Sequence, residues 1–436
     1  MSGRARRVVI TGLGVVAPNG NGLRDFELAL RKGLSGIRHI PLLEELEFAC
    51  RVAGVPQGVD EIAAASFPED ELLAMNSSHR FASVAALEAW TDAGLPLPGP
   101  DAPVDWDTGA IIGTGVGGMD TIGAKVVPLT DAGRVRRLGS TAVEQVMASG
   151  VSARLSGQLA LGNQVTTNSS ACSTGTEAIA MGAERIRASL AERMLCGGAE
   201  GESQYIWAGF DAMRVLCRGF NDAPEKASRP MSASAGGFVP SCGAGLLMLE
   251  SLESARARGA RIYAELLGSA VNSGGQRGGG SMTAPNREGV IRCVQAGLRD
   301  AGIAGREVDA INGHLTATGA DPGELRNWAE ALDRTPGDFP ALTATKSLIG
   351  HALGAAGGIE SVASVLMLWR GFLHASKNCE DLHPEIEPFA GAISHEFREF
   401  PELRTLVKAG FGFGDVNACV VLQKWDDAEP APERGE

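Results

Sequence analysis

Residues Val165–Ile186 read VTTNSSACSTGTEAIAMGAERI. A short β-branched run ends in polar residues, a single thiol follows at Cys172, and then comes a helix-like segment of Ala, Gly, Ile and Met. A helix of small residues carries few large side chains, so it suits a position where other elements approach closely. A cysteine in its first turn faces unpaired N–H groups and the positive end of the helix dipole, both of which favour thiolate. The alternative for this stretch alone is that Cys172, one of eight cysteines, is a small buried hydrophobe.

The pattern recurs. Ala341–Leu366, ALTATKSLIGHALGAAGGIESVASVL, is again a strand, a polar turn and a small-residue helix. The echo is weak in identity but matches in kind. It predicts two similar halves whose buried helices meet at the centre, with their N-terminal ends near one pocket, although ordinary α/β repetition yields the same pattern.

Working outward, short apolar strands alternate with helices. RRVVITGLGVV, TGAIIGTG, QVTTNSS, ERMLCGGAE and AGLLMLES read as strands of the first half. RIYAELLGSAV, VDAINGH, ALTATKS, LVKAGFGFG and NACVVLQKW read as strands of the second. SSHRFASVAALEAWTDAGL and REGVIRCVQAGLRDAG read as helices. The alternation predicts an α/β fold with buried sheets. The halves are placed at residues 1–262 and 263–425, and the tail 426–436, DDAEPAPERGE, reads as disordered.

Bulk properties narrow the function. The chain has 436 residues, 44% of them hydrophobic, and 58 are glycines, which implies many tight turns and close backbone approaches. No run of eighteen apolar residues predicts a membrane span. The opening MSGRARRVVITGLGVVAP reads as a buried strand and turn, not a signal peptide. The eight cysteines are scattered without a C-x-x-C pair, which argues against a metal cage or disulfide framework and fits a reducing cytoplasm. A formal net charge of −13 argues against a general nucleic-acid binder.

Two of the seven histidines stand at strand ends beside Gly and Thr. His314 lies in INGHLTATGADPGE and His351 in TATKSLIGHALGAAGG, five residues after Lys346. A lone histidine of this kind is usually structural. Two of them, with a lysine and a helix-start cysteine, point to nucleophilic catalysis with donors for a developing enolate.

The chain resembles the β-ketoacyl-acyl-carrier-protein synthases, condensing enzymes of the thiolase superfamily, over about residues 7–424. The matching stretches occur in the family's order: VVITGLGVVAPNG, IIGTGVGG, SSACSTG, GGAEG, FNDAPEKASRP with GFVPSCGAG, MTAPNREG, GHLTAT, TKSLIGHALGAAGG and GFGFGDVNA. The resemblance implies a five-layered α/β/α/β/α thiolase fold, no cofactor or metal, and decarboxylative Claisen condensation in fatty-acid or polyketide-type biosynthesis. It implies that Cys172 accepts the acyl chain, that His314 and His351 bind the donor thioester carbonyl, and that Lys346 and the buried Glu360 support them. Phe413 matches the gating phenylalanine whose N–H joins that of Cys172 in an oxyanion hole. Thr316 and Thr318 match residues that meet the pantetheine arm, Thr283 and Phe411 fall at substrate-binding positions, and Val116 matches one lining the acyl pocket near a dimer interface.

The implied partner is an acidic acyl carrier protein, docking on Arg134, Arg136, Arg137 and Arg214. A homodimer is implied, with a heterodimer as the alternative. Histidine at 351 separates the chain from CoA-primed synthases, which have asparagine there. Two other readings stay open: a non-catalytic chain-length partner, which normally lacks the cysteine, and a thiolase-like acyltransferase. The chain also departs from the family pattern. Leu315 stands for a glycine, Asp415 follows Gly414 where a second glycine is usual, and Ser232 and Cys242 replace acidic residues. At the phenylalanine, Asp415 either holds the loop through a hydrogen bond or ion pair, or points to solvent.

Overall fold

A computed structural model describes residues 6–426, so all of the expected tail but Asp426 lies outside the described residues. Ten strands carry the architecture. The first half contributes β1 (Val8–Ala17), β2 (Thr108–Gly113), β3 (Val165–Thr166), β4 (Arg193–Glu200) and β5 (Gly243–Ser251). The second half contributes β6 (Ala264–Ser273), β7 (Ala310–Asn312), β8 (Ala341–Thr343), β9 (Thr405–Gly412) and β10 (Val416–Lys424). Each overlaps a stretch expected to be a strand. Apart from β3 and the second half of β6, their residues are buried almost without interruption, as in sheets covered on both faces.

Strand order in the first half is β3-β2-β4-β5-β1, and in the second β8-β7-β9-β10-β6. The pairing senses also repeat. β2 is parallel to β3 and β4, β7 is parallel to β8 and β9, and the last two pairs of each half are antiparallel. The two sheets join where β1 meets β6 through Val8–Leu266, Val9–Glu265 and Ile10–Ala264.

Six helices complete the layers: α1 (Ser77–Asp92), α2 (Gly150–Leu159), α3 (Thr174–Arg187), α4 (Arg287–Ala301), α5 (Asp321–Leu332) and α6 (Ala356–Arg370). α1 covers β1, β4 and β5, with α2 beside it over β2. α4 covers β6 and β10, with α5 against α4. α3 and α6 lie between the sheets, touching strands of both halves and each other. The result is the five-layered thiolase fold.

The central pair explains the small residues seen in the sequence. α6 is buried from Ala356 through Leu368, as a helix apolar all round should be. A side chain at Gly175 on α3 would meet the Gly358 backbone at 2.5 Å, so glycines let the two N-terminal ends close on each other. No helix among the described residues is long and apolar enough to cross a membrane.

Candidate active site

Cys172, the candidate nucleophile, sits at the start of α3. Ala171 is held at φ +50°, a strained value for a residue with a side chain, and a short 3-10 turn, Ala171–Ser173, leads into the helix. The Ser173 hydroxyl donates to the carbonyl oxygens of Gly410 (3.0 Å) and Val416 (2.9 Å), pinning this turn to β9 and β10. A side chain at Gly412 would stand 3.1 Å from the Cys172 nitrogen and 2.8 Å from the Ser170 oxygen, so glycine there keeps the Cys172 N–H clear. The Phe413 N–H is directed at the Cys172 thiol.

Seven of the eight cysteines are buried, whereas Cys172 is partly exposed and lines a cavity. Enclosure on its other sides pushes the Cys172 thiol up to about 11, against the Lys346 charge and the Phe413 N–H, which favour thiolate. Desolvation outweighs them in the resting site, and contact with His351 becomes important.

His351 follows the turn after β8. Its Nε2 lies 3.0 Å from Cys172 Sγ. The Leu353 N–H donates to His351 Nδ1 at 3.2 Å, which leaves the neutral ring's proton on Nε2, facing sulfur. His314 lies at the end of β7, its ring 5.5 Å from that of His351 and nearly perpendicular to it. Lys346 Nζ stands 3.5 Å from His314 Nδ1, and an ammonium can only donate, so the His314 proton is also on Nε2. The reactive atoms of Cys172, His314 and His351 lie within 4.8 Å of one another. Both imidazoles are held well below the ordinary 6.5, first by burial and then by the neighbouring cations Lys346 and Lys408.

Behind the histidines lies a buried charge cluster. Glu360, on α6, takes Lys346 on one oxygen and Lys408 on the other, the latter at 2.8 Å. Lys346, Glu360 and Lys408 are each no more than 1% exposed. Lys346 and Glu360 were expected here, whereas Lys408 was not singled out. Its signal was a lysine inside the otherwise apolar strand LVKAGFGFG, where a buried cation must find a carboxylate.

Two further carboxylates position the site and were missed. Glu324 accepts the N–H groups of His314 (2.6 Å) and Leu315 (2.8 Å) and the indole N–H of Trp328 (3.2 Å). Burial and neighbouring Asp321 push Glu324 up to about 7. Glu200, at the end of β4, accepts from Gly115 (2.8 Å), Val116 (3.3 Å), Gly354 (2.9 Å) and the Thr114 hydroxyl (3.1 Å), tying the two halves together near the site.

A cavity of about 470 Å³ opens over the thiol, its walls mainly apolar. Cys172, His314, His351, Thr283, Thr316, Thr318, Phe411 and Phe413 all line it. The Thr316 and Thr318 hydroxyls are 3.0 Å apart. Val116 stands outside this lining, 47% exposed in the single chain. Arg134, Arg136, Arg137 and Arg214 are exposed and have no ion-pair partner among the described residues.

The departures have structural answers. Leu315 is fully buried at φ +24°, its N–H fastened by Glu324, so the backbone bend survives without glycine. Ser232 lacks a carboxylate, but Asp381 supplies one. It accepts from the Ser232 hydroxyl (2.6 Å) and from the buried Arg229 (2.8 Å). Cys242 is buried, its N–H on the Gly54 carbonyl at 3.0 Å. Asp415 is fully buried and does not face solvent.

Residues 5–255 match the family model "Beta-ketoacyl synthase, N-terminal domain" and residues 263–380 match "Beta-ketoacyl synthase, C-terminal domain". The chain is 34% identical over 423 residues to 3-oxoacyl-[acyl-carrier-protein] synthase 2 of Vibrio harveyi, covering 96% of this chain and 99% of that one. A β-ketoacyl synthase from Burkholderia phymatum STM815 superposes with a TM-score of 0.88 at 29% identity, covering 97% and 100% of the two chains. A type II PKS ketosynthase solved with its acyl-carrier protein and bound to the hexaketide superposes with a TM-score of 0.85 at 27% identity, again covering 97% and 100%.

Proposed function

The chain belongs to the β-ketoacyl synthase family, and we propose that it condenses a carrier-bound malonyl unit with an acyl chain held as a thioester on Cys172. The observation that carries this reading is the meeting of Cys172, His314 and His351 at one apolar cavity, with Nε2–H groups directed inward.

In the first step the Cys172 sulfur attacks the acyl-carrier thioester. The sulfur–carbonyl bond forms, the carrier's thiol leaves, and the proton lost by Cys172 ends on that thiol. The N–H groups of Cys172 and Phe413 meet the oxyanion of the tetrahedral intermediate. In the second step the malonyl thioester loses carbon dioxide, and the electron pair of the broken bond moves into an enolate. The Nε2–H groups of His314 and His351 stabilise charge on the enolate oxygen as it develops. The enolate carbon then attacks the Cys172 thioester, a carbon–carbon bond forms, and the cysteine sulfur departs and recovers a proton.

Neutral imidazoles suit this work. Protonation at Nδ1 would break the contact with the Leu353 N–H and set a charge against Lys346. Apolar walls favour the neutral loss of carbon dioxide and an alkyl chain near the thiol. A non-catalytic partner role finds no support in a site with its nucleophile and both donors in place.

The partner in this reading is an acyl carrier protein, as in the names of the relatives above, meeting Arg134, Arg136, Arg137 and Arg214. Pairing with a second subunit, a homodimer in this reading with a heterodimer as the alternative, is supported by the apolar residues Val116, Val127, Val135, Val143 and Met147, all exposed in the single chain within one segment between β2 and α2. A cytoplasmic setting agrees with eight free cysteines. Incubation with acyl- and malonyl-carrier proteins, with products identified by mass spectrometry, tests the reading. A β-ketoacyl carrier product is expected, and its absence with every acyl donor would overturn it.

A further inference from the structure

Four hydrogen bonds fasten the chain just after Phe413 to the opposite side of the cavity. The Asp415 carboxylate accepts the Asn286 N–H at 2.7 Å on one oxygen and the Gln276 N–H at 2.9 Å on the other. Its backbone carbonyl accepts the Gly274 N–H at 2.9 Å, and the Gly414 N–H donates to the Met282 carbonyl at 2.8 Å. Asp415 is 0% exposed and has no cationic partner among the described residues, so its carboxylate is met by backbone N–H groups, those of Gln276 in the glycine-rich run and of Asn286, the residue that caps α4.

The glycine-rich run Gly274–Gly280, GGQRGGG, has its reason here. A side chain at either Gly274 or Gly280 would collide with the Asp415 carboxylate. Asn286 continues the fastening by capping α4, its side chain accepting the Gly289 N–H at 3.1 Å. This same segment presents Thr283, Ala284 and Pro285 to the cavity, while Phe413 lines the cavity and sends its N–H toward Cys172.

We propose that Asp415 is a positioning residue that clamps the Phe413 segment to the wall at residues 274–286, so that the two walls move as one and exclude long acyl chains from Cys172. This rests on the condensing reading above and specifies its acyl selectivity. Widening the cavity between Phe413 and Pro285 requires either moving both segments together or breaking bonds to a buried carboxylate, which are among the stronger hydrogen bonds in proteins. Asp415 has φ +62°, a conformation that glycine adopts freely, so Asp415→Gly removes the two carboxylate bonds of the clamp without demanding a new backbone path, leaving only the two backbone bonds.

The test compares wild type, Asp415→Gly and Asp415→Asn. Acetyl, octanoyl and palmitoyl thioesters are offered, and loading on Cys172 is followed by mass spectrometry. Amide exchange at Gln276 and Asn286 is measured in parallel. The palmitoyl-to-acetyl loading ratio should rise about tenfold or more in Asp415→Gly, as loss of a hydrogen bond to a charged group implies. The two amides should exchange faster, and Asp415→Asn, which keeps one acceptor, should fall between. An unchanged ratio with faster exchange would reduce Asp415 to a structural tie and overturn the proposal. Unchanged exchange would remove the clamp itself. Failure of wild type to load any acyl group on Cys172 would sink the condensing reading and the clamp together, a result distinct from equal ratios.

Discussion

His351 Nε2 lies 3.0 Å from Cys172 Sγ, and the Leu353 N–H on His351 Nδ1 determines that the proton between ring and sulfur belongs to the ring. An N–H facing sulfur stabilises thiolate, opposing the burial that pushes the thiol up. It also leaves the same N–H free to meet a substrate carbonyl once the sulfur is acylated.

The first prediction follows from the accessibility of that thiol. Acyl loading or brief alkylation should label Cys172 and leave the seven buried cysteines unmodified, as read by peptide mapping. Even labelling across the cysteines, or none at Cys172, would contradict the nucleophile assignment. Lys346→Ala should slow loading at neutral pH, since it removes the cation that favours thiolate.

Replacing either histidine removes one donor to the enolate oxygen. His314→Ala and His351→Ala should each lower malonyl decarboxylation roughly a hundred- to a thousandfold. Thermal unfolding followed by circular dichroism should show that both variants remain folded. Near wild-type condensation in either would refute its role.

The pH dependence has a definite sign. Both imidazoles are pushed down from 6.5 in the folded protein, so the neutral donors persist as pH falls and are lost only below the ordinary histidine range. Decarboxylation should therefore stay level between about pH 8 and about pH 6, with no half-loss at the usual histidine midpoint. Lys408→Met removes one positive charge that disfavours the imidazolium forms, so the acid limb should move to higher pH. A decline centred at 6.5 in wild type would contradict the neutral-donor picture.

Docking should respond to salt. Exposed arginines facing an acidic carrier are screened by ions, so the KM for carrier-bound substrate should rise with ionic strength. Arg214→Glu should raise that KM while barely affecting a small acyl thioester that lacks the carrier. Equal losses on both substrates would assign Arg214 a structural role.

What the sequence determined by itself was local or periodic. All ten strands, the helix Ser77–Asp92 and the helix Arg287–Ala301 were legible because apolar runs and their turn punctuation register burial directly. That Cys172, His314, His351, Lys346, Glu360 and Phe413 would lie near one another was legible through the resemblance, since each stands in one of its short ordered motifs. Lys408, Glu324 and Glu200 were not, because a buried charge acquires its meaning from partners far along the chain. Lys408 reaches Glu360 across the central layer, Glu324 holds the backbone of His314, and Glu200 joins Gly115 to Gly354. The same reason governs the departures. Ser232 lost a carboxylate that Asp381 restores, and Asp415 gained one that the glycine-rich run closes over. Only tertiary structure decided these, since the cost of desolvating a charge is settled by whichever groups the fold brings within hydrogen-bond reach.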